Sequence, residues 1–260
     1  MKKGKLKYII IIAVLIVYAV VMYLAFGVSE TRERKATTTL LVGNSAVWNY
    51  SSRNWFNMNT SSLLSTLNWQ KFNIYVNNQY FGKYLVWQDD QWYLFDNNRN
   101  AISYDGNLFA YQADFDMDIL NFTTNNITDY TYVNQVLQEH GFDTNVNYTL
   151  ATVSDVDFDK DGIAEEFYVV SNVFAIDFFP DKYFSFVFMV DNNKIYMLYE
   201  DVDTNEGVNG CKPSLYTVAD VDNDKEYELI LTCAKYSNQT PLTMLYEFRD
   251  DAFEIEISNQ

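Results

Sequence analysis

The chain has 260 residues, with 18 Lys/Arg against 35 Asp/Glu and a formal net charge of −17 at pH 7. Residues 1–35 hold seven of the basic side chains and two Glu, so 36–260 carry 11 basic against 33 acidic residues, a net of −22 that repels phosphate backbones and argues against nucleic-acid partners. Aromatics make up 17% of the chain, too many for a disordered polymer, and one His with two Cys leaves little material for zinc or nucleophilic chemistry.

Lys2, Lys3, Lys5 and Lys7 precede an uncharged apolar run over 8–27, about the 20 residues needed to cross a hydrocarbon core. A cleaved signal peptide competes with this reading, but its apolar region covers about 7–15 residues and ends in an A-x-A pattern that Ala25-Phe26-Gly27 fits poorly. The expectation is an uncleaved signal anchor in the cell membrane, with 1–7 cytoplasmic, 8–27 transmembrane and the rest of the chain extracellular, because the lysines cluster before the span. Residues 28–47 read as a stalk.

Residues 48–127 read as successive aromatic-rich β hairpins. Asn77-Asn78 supplies a two-residue turn whose residues tolerate positive φ. A two-residue turn at Asp89-Asp90 would set Trp87 opposite Trp92; further turns fall at Asn97-Asn98 and Asp105-Gly106. These aromatics suit a core; stacking on sugar rings is the alternative, with Trp48 and Trp55 in a polar stretch its best candidates. Over 128–141, Tyr132, Val133, Val136, Leu137 and His140 recur at helical spacing after Thr128 or Asp129 and before Gly141, which predicts a short amphipathic connecting helix. His140 fits a C-terminal partner of the helix dipole.

Residues 142–260 alternate apolar strands with polar turns, including Asn192-Asn193 and Asp250-Asp251, and contain two acidic loops. Carboxylates stand at Asp157, Asp159, Asp161 and Glu165 in the first and at Asp220, Asp222, Asp224 and Glu228 in the second, one spacing used twice. Alternate side chains of an extended loop point the same way, so this pattern converges oxygens on one point, a cage that suits Ca²⁺ better than the stricter Mg²⁺. Matching the flanking strands, Thr152-Val-Ser-Asp-Val-Asp157 with Thr217-Val-Ala-Asp-Val-Asp222, pairs Asp155 with Asp220 instead, so Asp155 joins the candidate ligands and the register stays open. Gly162 serves the first bend; the second has Lys225 and Glu226 in that region. Cys211 and Cys233 flank the second loop and would form a disulfide in an oxidising compartment, although pairing about residues 223–224 would set Cys233 nearer Ser214.

The sequence of a hydrophobic strand, D-x-D-x-D-G-x-x-E/D and a second hydrophobic strand resembles the calcium loop of FG-GAP and VCBS-type repeats of integrin-like β-propellers and bacterial surface proteins. The resemblance covers roughly 150–258, with a well-matched first loop and a degenerate second. It implies an extracytoplasmic, calcium-stabilised β module with partial propeller-like repeats. The fold expected is thus mainly β, an N-terminal transmembrane helix followed by antiparallel hairpins and one short helix. A binding or structural role leads, with a protein or glycan partner at the cell surface; the alternative is a carbohydrate-active hydrolase using paired carboxylates.

Overall fold

The computed structural model describes residues 37–125, 129–173, 182–203, 211–235 and 241–259. The expected transmembrane span at 8–27 lies outside them, and among the described residues no helix is long and apolar enough to cross a membrane. The architecture is mainly β, in three antiparallel sheets.

Strands β1 (Thr38–Val42), β2 (Ala46–Ser51), β3 (Asn54–Asn57), β4 (Lys71–Val76), β5 (Gln79–Gln88), β6 (Trp92–Phe95), β7 (Ala101–Ile102) and β8 (Leu108–Ala113) form an eight-stranded sheet. Its order is β3-β2-β1-β8-β4-β5-β6-β7. The stalk expected over 28–47 is corrected from residue 38 onward. β1 lies inside the sheet, paired with β2 on one side and β8 on the other, and all five of its residues are buried. Thr38 and Thr39 look like polar linker residues in sequence, but β-branched side chains suit a pleated surface, and Leu40 and Val42 enter one core while Leu41 enters another.

The turn at Asn77-Asn78 forms as expected, with φ of +50° and +60° and Val76 opposite Gln79. The expected Trp87–Trp92 pair does not form: the loop has three residues, so Gln88 pairs with Trp92 and Trp87 with Tyr93. Burial decides this. Val86, Trp92 and Leu94 all join the inner cluster, which turns Trp87 to the other face, where its ring lies 5.0 Å from that of Trp69. Trp48 is fully buried, and Trp55 packs on Tyr50. A short helix α1 (Ser61–Leu64) runs into a 3₁₀ turn at Ser65–Leu67, and Leu64 and Leu67 cover this sheet's inner cluster.

Strands β9 (Thr123–Asn125), β10 (Thr149–Val156), β11 (Glu165–Ser171), β12 (Tyr183–Asp191) and β13 (Lys194–Asp203) make a five-stranded sheet in the order β13-β12-β11-β10-β9. Strands β14 (Cys211–Ala219), β15 (Glu228–Lys235), β16 (Leu242–Arg249) and β17 (Ala252–Ser258) make a four-stranded meander. The tight turns between β12 and β13 and between β16 and β17 have positive φ at both central residues, Asn192-Asn193 and Asp250-Asp251.

The four-stranded sheet is covered on both faces. Leu229, Leu231 and Met244 pack against Phe167, Val187 and Met189 of the five-stranded sheet. Ala219, Ile230 and Leu245 pack against Leu40, Trp48 and Phe109 of the eight-stranded one. This double burial explains why β15 is nearly continuous in apolar residues rather than alternating. The aromatic hairpins and the acidic-loop segment therefore share a core, within one compact unit from Thr37 to Gln260.

Helix α2 (Thr131–Glu139) covers the far face of the five-stranded sheet through Val133, Val136 and Leu137, against Phe184, Phe186 and Phe188. Asp129 Oδ1 accepts from the Thr131 backbone N–H at 2.9 Å, while Thr128 lies outside the described residues. His140 Nδ1 lies 2.7 Å from the Val136 carbonyl and its Nε2 3.3 Å from Glu200. Cys211 and Cys233 are buried and joined as a disulfide, with Cα atoms 5.4 Å apart. The ladder sets Pro213 opposite Cys233, and a bulge between Leu215 and Thr217 shifts the register by one residue from simple pairing.

Candidate metal sites at two acidic bends

Each acidic loop leaves its first strand after a β-bulge, between Val153 and Val156 in β10 and between Leu215 and Thr217 in β14. The last ladder pairs are Val156 with Glu165 and Ala219 with Glu228. Several features of the first loop then recur 63 residues on. The Phe158 backbone N–H donates to Glu165 Oε2, and that of Val221 donates to Glu228 Oε2. The Gly162 N–H donates to Asp157 Oδ2 and the Lys225 N–H to Asp220 Oδ2, at 3.2 and 3.1 Å. The Ile163 N–H reaches Asp161 Oδ1 and the Glu226 N–H reaches Asp224 Oδ1, at 2.7 and 2.8 Å. Positive φ falls at Lys160 and Gly162 in one loop and at Asn223 and Lys225 in the other.

This correspondence settles the register as Asp157 with Asp220 and Glu165 with Glu228. Asp155 is then the penultimate residue of β10, and its side chain lies outside the described residues. Lys225 holds at φ +80° the place that Gly162 holds at φ +91°, so the second bend keeps its shape with an L-residue in the left-handed region.

In the first bend Asp157, Asp159, Asp161 and Glu165 each offer an oxygen lying within 4.8 Å of the others. Ca²⁺ binds oxygens at about 2.3–2.6 Å, so opposite ligands sit roughly 5 Å apart, and the set fits one ion. In the second bend Asp220, Asp222 and Glu228 gather in the same way. Asp224, expected with them, groups instead with Glu226 and Glu247. Its own N–H is drawn 3.1 Å from Asp220 Oδ1, in a part of the loop where the first bend has the Asp161 N–H bound to Asp159.

The geometry leaves specific oxygens without partners. Asp157 Oδ1 and Glu165 Oε1 in the first bend, and Asp222 Oδ1 and Glu228 Oε1 in the second, are buried and accept no hydrogen bond. Glu165 is 1% exposed and Glu228 2%. A buried carboxylate with no counter-charge is costly, by several kcal/mol for each ion, so the group takes up either a proton or a cation. Burial, reinforced by the charges of Asp159, Asp191 and Asp157, accordingly pushes Glu165 up to about 7. Burial raises Asp159, Asp220 and Asp222 as well, and Glu228 well above the usual carboxylate range.

Several residues around the bends were not singled out in the sequence. Asp191, at the end of β12, has a buried Oδ1 without a partner and raises both Glu165 and Asp159. Burial and the neighbouring Asp222 raise the Tyr50 hydroxyl of β2, and Asp118 Oδ2 accepts from the Tyr227 hydroxyl at 2.6 Å. These partners come from distant parts of the chain, and no local pattern marks them.

Away from both bends, a cleft of about 290 Å³ is lined by Asn44, Asn59, Gln88, Gln91, Asn259 and a single carboxylate, Asp90, among other residues. Hydrolysis by paired carboxylates needs two such groups about 5–10 Å apart flanking the bond that breaks. No family model, no curated protein and no solved structure matches the chain.

Proposed function

We propose that this protein is a membrane-anchored extracellular module of binding or structural role, whose β scaffold is rigidified by Ca²⁺ at two acidic bends. The observation that carries the reading is a pair of conformationally matching loops, each closing on a buried Glu, Glu165 or Glu228, with one carboxylate oxygen unpartnered. Hard oxygen donors in an irregular cage favour Ca²⁺ among common divalent ions. Asp157, Asp159, Asp161 and Glu165 would hold one ion, and Asp220, Asp222 and Glu228 a weaker second one. Asp224 stands beside the second site rather than in it.

The loops sit at equivalent places, between the first two strands of a four-strand meander in each case, β10–β13 and β14–β17. That arrangement supports kinship with FG-GAP and VCBS-type repeats, here as two blade-like units packed face to face beside a larger sheet. The apolar run at 8–27 would hold the module at the cell surface, where a protein or glycan partner is met. The bound ions act on stability, and the partner-binding surface lies elsewhere.

Calorimetric titration of the chain with Ca²⁺ tests this, paired with melting in calcium and in chelator. Saturation to about 100 times the dissociation constant stabilises by about 2.7 kcal/mol per site. At this chain length each kcal/mol raises Tm by roughly 2–4 °C. Absence of both binding heat and a melting shift would remove the metal from the reading.

A further inference from the structure

The first bend receives a carboxylate from a strand outside its own loop. The ladder pairs Glu166 with Val190, and one step further sets Asp191 beside Glu165 on the face that Phe167 and Met189 share. In an antiparallel pair such neighbours project to the same side, with Cβ atoms about 4.5–5.5 Å apart. Asp191 Oδ1 is buried and unpartnered, as is Glu165 Oε1. The cation in the same turn, Lys194, is engaged elsewhere, 3.1 Å from Asp251 and 4.3 Å from the centre of the Tyr196 ring.

The second bend has the same layout with a different outcome. Leu229 pairs with Tyr246, so Glu247 falls beside Glu228 as Asp191 falls beside Glu165. Glu247 is met by Arg249, whose Nε and terminal nitrogen donate to its two oxygens and whose other nitrogen lies 2.7 Å from Glu256. A bidentate guanidinium of this kind satisfies a carboxylate and leaves it poorly available to an ion.

We infer that Asp191 is a further ligand of the divalent cation at the first bend, tying the β10–β11 loop to the β12–β13 hairpin, and that Arg249 withholds the equivalent Glu247 from the second. This rests on the calcium reading of the bends proposed above. It makes the two sites unequal for a reason beyond their loops: one recruits a carboxylate from its third strand, and the other has that carboxylate neutralised internally.

The test is calorimetric titration of the full chain in detergent micelles with Ca²⁺, comparing the native protein with D191N and R249Q. D191N is expected to weaken the tighter phase about tenfold or more, in the range usual for losing a group that shapes a metal site. The same variant in chelator is expected to melt no lower than the native chain, because an unpaired buried charge has been removed. R249Q frees Glu247 and is expected to tighten the weaker phase. Native affinity in D191N overturns the inference alone; so does a lower metal-free melting temperature, which would mark Asp191 as structural. Unchanged weak-phase affinity in R249Q overturns the role given to Arg249. A native chain that takes up no Ca²⁺ overturns the inference and the calcium reading together.

Discussion

Lys160, in the first acidic bend, holds its ammonium 3.8 Å from the centre of the Tyr227 ring and donates to the Lys225 carbonyl in the second. The two bends are thus joined by a cation of the protein's own, which also lowers Asp220 against the effect of burial. A cation–π contact at an exposed site contributes about 0.5–1 kcal/mol. Lys160→Met is expected to lower Tm in chelator by roughly 1–4 °C, read by scanning calorimetry. An unchanged Tm would show that the bridge adds nothing to stability.

Metal-free stability should fall as pH rises toward neutrality. Burial raises Glu165 from an ordinary 4.5 to about 7, so the native state holds a proton that the unfolded chain releases. The stabilisation is full below the unfolded value and is lost as pH climbs through the folded one. With Ca²⁺ present the sign reverses, since the ion binds the ionised carboxylates and gains affinity across that window. Melting curves from pH 4.5 to 8, in chelator and in calcium, should therefore diverge with rising pH. Parallel curves would contradict this.

Gly162→Ala isolates the backbone contribution of the first bend. Gly162 sits at φ +91°, and an added Cβ would meet nothing within 4 Å, so the cost is conformational. A loss of about 1 kcal/mol is expected. Conversely, Lys225→Gly should relieve the φ of +80° in the second bend and stabilise by a similar amount. Chemical denaturation of both variants in chelator measures each change, and a neutral Gly162→Ala would mean that the loop shifts its φ freely.

Removing the disulfide should cost about 3 kcal/mol, the chain-entropy value for a closed loop near the 22-residue separation of Cys211 and Cys233. For this chain length that is roughly 6–12 °C in Tm. The double variant Cys211→Ala/Cys233→Ala, melted beside the native protein, reads the difference. A gap under about 2 °C would show that strand pairing alone holds β14 to β15.

Features set by a few adjacent residues were legible in the sequence. The turns at Asn77-Asn78, Asn192-Asn193 and Asp250-Asp251 form because those residues tolerate left-handed φ, and α2 follows from apolar spacing with Asp129 before it and Gly141 after it. The grouping of Asp157, Asp159, Asp161 and Glu165 was legible, because three loop Asp and one strand Glu converge through local geometry. Features set by distant partners were not legible. Thr38 and Thr39 look like linker until β8 covers them, and the Trp87–Trp92 register yields to the burial of Trp92 in a cluster assembled from several strands. Asp191 is 26 residues from Glu165, and only the β11–β12 ladder brings them together.

The interior place of β1 bears on how the chain is made. As synthesis proceeds, β1 can pair at once with β2, and β4 with β5, but one backbone edge of each hairpin stays bare until residues 108–113 leave the ribosome. β8 then binds β1 and β4 together as a keystone. Until it arrives, two sticky half-sheets coexist on the nascent chain, the condition in which strands add to the wrong neighbour.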